Sequence, residues 1–256
     1  MAFIAGIDIG SVTTKCVILA DADVKARTLT RTGVDPEKAV NTVVCEACAL
    51  AGIQVGQLDL RAATGYGRRL ATGASKVITE ISAAGRGAFA LAGGRRLLVL
   101  DVGGQDTKLI DVEAGGDIAD FLMNDKCAAG TGRFLELMAG VLETDLDGLS
   151  SLAFKSSAPI TINATCGVFA ETEVVSLIAH AAKREDIAAG VMNSIATRIA
   201  AMLHSFDPDS DLVFCGGGAR SPALSRAIEA AAQRELRVLP DAQHVVALGA
   251  ALLAAR

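Results

Sequence analysis

Aromatic residues are scarce in this chain of 256 residues: tryptophan is absent, tyrosine occurs once, and aromatics make up only 4%. Hydrophobic residues nevertheless reach 51%, so the core must be built largely from Ala, Val, Leu and Ile. With 26 glycines, this composition is typical of an α/β protein and excludes a disordered chain or a small disulfide scaffold. The length suits one large domain or two smaller domains packed together.

A concentrated basic surface is also missing. The formal net charge is −5 and the Lys and Arg residues are scattered, which argues against nucleic acid as a partner. The N-terminal apolar run has no basic flank and breaks at Asp8, too soon for a signal peptide or a membrane span. We therefore expect a cytoplasmic protein whose six cysteines are reduced, metal-bound or redox-active rather than paired in disulfides.

Two sequence patterns occur twice in the same order. The strand–turn–strand pattern IAGIDIGSVTTKCVIL returns 93 positions later as LLVLDVGGQDTKLIDV, and DLRAATGYGR at 59–68 is matched by DLVFCGGGAR at 211–220. Residues 35–51, 184–206 and 221–235 carry apolar side chains at helical spacing, so strands and helices alternate. This repetition predicts an α/β fold with two duplicated halves.

The repeat also predicts the domain organisation. We expect a first half at 1–94 and a second half at 95–243, with a helix at about 244–256 that packs back onto the first half. The second copy is 59 residues longer between its two matched patterns, and a cysteine-bearing insertion at about 113–205 holds the extra residues. Because no Pro- or Ser-rich linker separates the halves, we expect a ligand cleft between them.

Glycine-rich hairpin turns predict a phosphate site. Without Cβ atoms, the backbone N–H groups of such turns are open to anionic phosphate oxygens, and one turn from each half could hold a nucleotide from both sides. Asp8 and Asp101 lie at strand ends, where carboxylates can hold Mg²⁺ through its waters. Gln105 is placed to orient an attacking water, and the glycine turn at 216–220 could pass close to a nucleoside.

The motifs together resemble one family. DIGSVTTK, ATGYGR, DVGGQDTK, NDKCAAGTGRF, TCGVFAETEV and CGGGA occur in the order seen in the ATPase activators of 2-hydroxyacyl-CoA dehydratases and the ATPase subunits of benzoyl-CoA reductase. The resemblance spans nearly the whole chain. It implies the fold of the acetate kinase, sugar kinase, Hsp70 and actin superfamily, with two ribonuclease-H-like halves and ATP between them. One departure is that Glu80 is followed by Ser82 and Ala83, where many relatives carry a Cys-His pair.

The resemblance also places the turn at 130–133 on the nucleotide side. Asp8, Asp101 and Gln105 are the predicted catalytic residues. The residues predicted to contact ATP or ADP are Gly10, Ser11, Thr13, Thr14, Lys15, Gly103, Gly104, Gln105, Asp106, Gly130, Thr131, Gly132, Arg133, Gly216, Gly217, Gly218 and Ala219.

The chain contains no C-x2-C-x2-C run, which often supplies three of the four thiolates of a [4Fe–4S] cluster. Cys127 and Cys166 instead each precede a helix-like segment, where the positive end of the helix dipole lowers a thiol pKa and favours metal ligation. A second chain would complete the ligand set and place one cluster on the axis of a symmetric dimer. The family resemblance implies that arrangement, with Cys127 and Cys166 as ligands.

The other cysteines and the histidines leave one alternative open. Cys45 and Cys48 share a helix face and could join Cys127 and Cys166 in an intramolecular site, although that pair also fits core packing. Cys16 and Cys215 are expected to be buried filler. The three histidines have no ligand partner at metal spacing, so neither a zinc site nor a Ser-His-Asp triad is indicated.

The resemblance implies ATP-dependent electron transfer. The donor would be a ferredoxin or a flavodoxin, the acceptor a 2-hydroxyacyl-CoA dehydratase or a benzoyl-CoA reductase type complex, and the dimer partner another copy or a close paralogue. Two other classes stay open. A sugar-type kinase predicts ATP turnover that depends on a sugar and no iron. A redox-regulated ATP-binding protein predicts that Cys127 and Cys166 exchange between thiol and disulfide.

Overall fold

The structure is a computed structural model that describes residues 2–21, 23–71, 73–125, 128–163 and 166–256. The chain divides into two compact units. The first unit comprises Met1–Val99, Ile110–Phe121 and Leu239–Arg256, and the second comprises Leu100–Leu109 and Leu122–Val238. No helix among these described residues is long and apolar enough to cross a membrane.

The first five strands form one sheet. In chain order its region contains β1 (Phe3–Ile9), β2 (Thr13–Ala20), β3 (Asp23–Arg31), α1 (Pro36–Leu50), β4 (Leu60–Thr64), β5 (Lys76–Val77) and α2 (Glu80–Ala92). The strands are ordered β3-β2-β1-β4-β5. β1 is antiparallel to β2, with Asp8 opposite Lys15, and parallel to β4, with Asp8 opposite Thr64. The glycine turn between β1 and β2 is therefore the predicted hairpin.

The second sheet repeats the order of the first. The remaining elements are β6 (Leu97–Val102), β7 (Thr107–Val112), β8 (Ile118–Asn124), α3 (Gly132–Val141), α4 (Leu146–Phe154), α5 (Gly167–Ala179), α6 (Arg184–Leu203), β9 (Asp211–Cys215), α7 (Pro222–Ala232), β10 (Arg237–Val238) and α8 (Val245–Ala254). Its strand order, β8-β7-β6-β9-β10, matches that of β3-β2-β1-β4-β5 element by element. The duplication predicted from the sequence is confirmed, and the helical spacing at 35–51, 184–206 and 221–235 corresponds to α1, α6 and α7.

Apolar spacing explains how α1 covers the first sheet. The helix begins where Asp35 accepts a hydrogen bond from the Lys38 amide at 3.0 Å and Pro36 fills the first turn, a favourable N-terminal combination. Its buried residues Val40, Val43 and Val44 join one cluster with residues of β1 and β2. Since burial of each such side chain contributes about 1.5–3 kcal/mol, the helix is held mainly by this face.

Small residues let α8 approach α2 and β1 closely. A Cβ atom added at Gly249 of α8 would overlap the carbonyl oxygen of Ala83 in α2, and one at Gly87 would overlap that of Val245. A Cβ at Gly6 of β1 would likewise overlap the carbonyl oxygen of Ala247. The C-terminal helix therefore packs within the first unit through backbone-to-backbone contact.

Candidate functional site

The first glycine turn joins β1 to β2 and is braced from β3. The Gly10 N–H donates to the Thr13 carbonyl at 3.1 Å, with Ser11 between them at the tip. Thr32, just after β3, donates its hydroxyl to the Gly10 carbonyl at 2.7 Å. Its Oγ1 also lies 2.9 Å from Thr14 Oγ1, and because its only proton is used, Thr14 is the donor of that bond. Side-chain hydroxyls thus fix the turn.

Asp8 lies below this turn in a largely buried position. Lys15 Nζ is 2.9 Å from Asp8 Oδ2, so the two side chains form an ion pair. Gly65, with φ of +92°, lies against the same carboxylate, because a Cβ there would be 2.6 Å from Asp8 Oδ1. Thr64 is fully buried, and its Oγ1 has no hydrogen-bond partner among the described residues. An ordered water or a ligand at Asp8 would satisfy that hydroxyl.

The second glycine turn has the same geometry. The Gly103 N–H donates to the Asp106 carbonyl at 2.9 Å, which leaves Gly104 and the exposed Gln105 at the tip. Buried Lys108 places its Nζ 3.8 Å from Asp101 Oδ2 and 2.5 Å from Asp106 Oδ1. Asp101, Asp106 and Lys108 together carry one net negative charge, whereas Asp8 and Lys15 balance. The second turn is therefore the more favourable site for a cation.

Both tips fit a phosphate group. No carbonyl within the described ranges accepts the backbone N–H of Ser11 or of Gly104. Open N–H groups on a glycine-containing turn are suitable donors to phosphate oxygens, and the nearby carboxylates can hold Mg²⁺ through its waters. The residues present therefore fit a magnesium nucleotide.

The glycine turn after β9 corrects the sequence alignment by one residue. The ungapped match places Gly65 opposite Gly217. In the structure Gly216 takes the equivalent place, because it has φ of +85° and a Cβ there would overlap Asp101 Oδ1. Gly67 and Gly218 likewise contact the residues that follow Asp8 and Asp101. Gly65 and Gly216 are therefore equivalent in backbone conformation and in their contact with a carboxylate, which sequence spacing alone does not show.

The remainder of this third turn is anchored in α4. A 3₁₀ helix spans Gly217–Arg220 and contains the predicted residue Ala219. Arg220 places NH2 3.3 Å from both carboxylate oxygens of Asp147. Because the partners are 73 residues apart and both exposed, sequence reasoning did not find this pair.

The segment 130–133 lies against the second glycine turn, and its predicted contact with the nucleotide stays a prediction. The Gly132 N–H donates to the Gly103 carbonyl at 2.8 Å, and the Arg133 N–H donates to the Gly104 carbonyl at 3.0 Å. Thr107 Oγ1 donates to the Gly130 carbonyl at 2.6 Å. The amides of Gly132 and Arg133 thus serve the turn itself, while the Arg133 side chain is exposed. Thr131 is fully buried at the start of α3.

Cys166 is at the start of α5, as the sequence predicted, and is exposed. Val168 and Phe169 follow it in the first turn of α5 with 68% and 70% of their surfaces accessible, so this end of the helix exposes apolar side chains. Cys127, the other predicted ligand, lies outside the described residues. Within the described part of the chain, no group of three or more His, Cys, Asp or Glu residues is arranged to hold a metal ion.

The remaining cysteines differ from Cys166. Cys16 and Cys215 are fully buried, which confirms their assignment as core residues. In α1, Cys45 is exposed whereas Cys48 is buried. Burial raises the pKa of the Cys16 and Cys48 thiols, with a further rise for Cys48 from the neighbouring Cys45. Both buried thiols therefore stay protonated and are poor metal ligands.

Repeated sheets, paired hairpin turns and two carboxylate–glycine contacts define a ribonuclease-H-like ATPase of the actin type. The chain belongs to the BadF/BadG/BcrA/BcrD ATPase family, whose model matches residues 5–254. It is 39% identical to the activator of lactoyl-CoA dehydratase from Anaerotignum propionicum, over 97% of this chain and 96% of that protein. Identity to a benzoyl-CoA reductase subunit from Thauera aromatica is 29%, over 98% and 93% of the two chains.

Two solved structures agree closely with this one. Component A of (R)-2-hydroxyglutaryl-CoA dehydratase from Acidaminococcus fermentans gives a TM-score of 0.93 at 37% identity, covering 99% of this chain and 97% of that one. The activator of 2-hydroxyisocaproyl-CoA dehydratase from Clostridium difficile, with bound ADPNP, gives 0.92 at 37% identity, covering 98% and 94%. A ROK family glucokinase from Streptomyces griseus, at 13% identity and a TM-score of 0.60, shares the fold alone. The family recognised in the sequence is confirmed.

Proposed function

We propose that this protein is an ATP-hydrolysing activator that delivers an electron to a 2-hydroxyacyl-CoA dehydratase. The observation that carries the proposal is the hydrogen-bonded junction between the second glycine turn and the segment that follows Cys127. That junction connects a phosphate-binding turn to a predicted cluster ligand within one short stretch of chain. The near full-length similarity to named dehydratase activators gives the substrate class.

The nucleotide is held by backbone groups and the metal by carboxylates. In the second turn the N–H group of Gly104 would donate to a phosphate oxygen and Asp101 would hold Mg²⁺ through its waters, and the N–H group of Ser11 offers the same kind of donor in the first turn. The ion pair between Asp8 and Lys15 keeps the first turn neutral, which limits repulsion of the anionic phosphates. Gln105, exposed at the tip of the second turn, orients the attacking water.

Two thiolates from each of two chains hold a [4Fe–4S] cluster. Cys166 is accessible at the N-terminus of α5, and Cys127 is the second ligand in the same chain. The exposed Val168 and Phe169 offer an apolar surface that a second copy or a close paralogue covers. When bound, the cluster supplies one-electron redox chemistry. A ferredoxin or flavodoxin is the donor.

The electron must leave at a low potential, and this sets the required coupling. For one electron, lowering the potential by about 200 mV needs on the order of 5 kcal/mol of differential binding. Nucleotide and partner docking together supply that difference, because a ligand shifts a conformational equilibrium only by its preference for one state.

Anaerobic purification followed by iron and sulfide analysis tests the cluster. We expect about two iron atoms per chain, and loss of iron in Cys127→Ser and Cys166→Ser. Cys45→Ser is the matched control, since this exposed cysteine lies in α1 of the other unit and should leave iron content unchanged. Full iron content and electron delivery in Cys127→Ser would overturn the proposal.

The similarity to the benzoyl-CoA reductase subunit favours a second candidate, an ATPase component of a reductase complex. Purification from the native source distinguishes the two. A transient activator is recovered without its enzyme, whereas a reductase component is recovered in a stable complex with other chains. A kinase would instead hydrolyse ATP in proportion to an added sugar, and a redox-regulated protein would change oligomeric state with thiol reagents and contain no iron.

A further inference from the structure

The two glycine turns are equivalent, but different parts of the chain brace them. In the first turn, the acceptor carbonyl at Gly10 receives the Thr32 hydroxyl. In the second turn, the equivalent carbonyl at Gly103 receives the backbone N–H of Gly132. Each brace follows the third strand of its sheet, β3 or β8. Thr32 braces the first turn with both its hydroxyl and its backbone N–H, which donates to the Val12 carbonyl at 2.9 Å, whereas residues of the segment that follows Cys127 brace the second.

Thr107 supplies the side-chain part of the second brace. It begins β7, is 1% exposed, and donates to the Gly130 carbonyl at 2.6 Å. Thr14, 93 positions earlier, is equally buried, but its hydroxyl donates to Thr32 instead. The same residue type at the same place in the repeat therefore has a different partner, and the partner of Thr107 is close in sequence to a predicted cluster ligand.

Three hydrogen bonds connect the second glycine turn and Thr107 to the segment 130–133. Gly103 and Gly104 accept the amides of Gly132 and Arg133, and Thr107 fixes Gly130 from the other side of the turn. Gly130 is three positions after Cys127 in the sequence. A displacement of the turn by a bound phosphate would break or move all three hydrogen bonds together, because one partner of each lies at Gly103, Gly104 or Thr107 and the other lies in the segment 130–133.

We propose that Thr107 is a positioning residue that couples nucleotide occupancy of the second glycine turn to the segment 128–133 and so to Cys127. This inference rests on the proposed function for the identity of the ligand. Thr107 is not among the residues predicted to contact ATP or to hold the cluster. Its role is to pass a displacement of the second glycine turn on to the segment 128–133.

Hydrogen–deuterium exchange on the full chain tests the coupling, with ADPNP as the probe. In the wild type, saturating ADPNP should change the exchange rate of the amides at 128–135 by roughly three- to tenfold, the factor that one hydrogen bond contributes. Thr107→Val, which keeps the shape and removes the donor, should lose that change, and Thr107→Ser should restore it. Thr28→Val is the matched control: it removes a buried hydroxyl of β3 that donates to the Val43 carbonyl at 2.7 Å and belongs to neither glycine turn, so it should keep the ADPNP-dependent change at 128–135.

The affinity for ADPNP distinguishes a loss of coupling between the turn and the segment 128–133 from damage to the nucleotide site. Thr107→Val should bind ADPNP within about threefold of the wild-type Kd, since the hydroxyl faces Gly130 rather than the ligand. Should Thr107→Val fail to fold, Thr107→Ala is measured against Thr107→Ser in the same way. An unchanged ADPNP response in the Val or Ala variant overturns the inference while leaving the proposed function intact. Absence of any ADPNP effect at residues 8–15 and 101–108 in the wild type overturns both.

Discussion

The contact between Gly216 and Asp101 predicts a large penalty for one methyl group. Gly216 has φ of +85° and ψ of −176°, a region that side chains other than glycine avoid. A Cβ there would overlap the Asp101 carboxylate and lie 2.6 Å from the Val102 carbonyl oxygen. Backbone strain and overpacking together make Gly216→Ala destabilising by on the order of 3 kcal/mol. For a chain of this size we expect a fall in Tm of roughly 6–12 °C.

Differential scanning calorimetry measures this effect, and the adjacent glycine provides the control. A Cβ at Gly217 would meet no atom within 4 Å, so Gly217→Ala should leave Tm unchanged or raise it slightly. ADPNP titration of Gly216→Ala should also show weaker binding, because the methyl group displaces the carboxylate that we propose holds Mg²⁺. Equal Tm values for the two variants would refute the argument that the carboxylate requires a glycine at 216.

Three further predictions concern residues of the first unit. Gly249→Ala should lower Tm through overlap with the Ala83 carbonyl, whereas Gly140→Ala, which meets nothing within 4 Å, should not; equal scans for both would contradict the close α2–α8 packing. Thr64→Val should raise the unfolding free energy of the ligand-free protein by about 1 kcal/mol, because it removes a buried hydroxyl without a partner among the described residues. A loss of stability would mean that a bound water satisfies this hydroxyl. Burial lowers the pKa of His244 from 6.5, an effect that Asp241 opposes. Since the unfolded chain binds that proton more readily, stability should be full above about pH 6.5 and fall as the pH drops below it, and His244→Gln should flatten the decline in thermal scans.

Much of the fold follows from the sequence because it is encoded locally. The hairpins, α1, α6 and α7 come from apolar periodicity and glycine turns, and the duplication comes from two short patterns in the same order. Strands β3, β8 and β10 were not predicted individually. β8 has mostly exposed residues and β10 contains only Arg237 and Val238, so neither carries the buried alternation that marks a strand.

The site was predictable only in part, because its decisive contacts are non-local. The sequence indicates which glycines and carboxylates form the turns, but it does not show that Gly216 rather than Gly217 faces Asp101. Nor does it show that Gly132 and Arg133 donate their amides to the second turn, since this contact joins residues about 30 positions apart. The position of Cys166 at a helix start was predictable from its local pattern, and the prediction for Cys127 stays open.

Activation of a purified 2-hydroxyacyl-CoA dehydratase tests whether this protein delivers an electron to that enzyme at the expense of ATP. The dehydratase is mixed anaerobically with this protein, a low-potential reductant and ATP, and product formation is followed. We expect activity only when all components are present, and none with Cys166→Ser, although that variant should still bind ADPNP. Activation that proceeds without ATP, or equally well with Cys166→Ser, would contradict ATP-dependent electron delivery through a cluster held by Cys166.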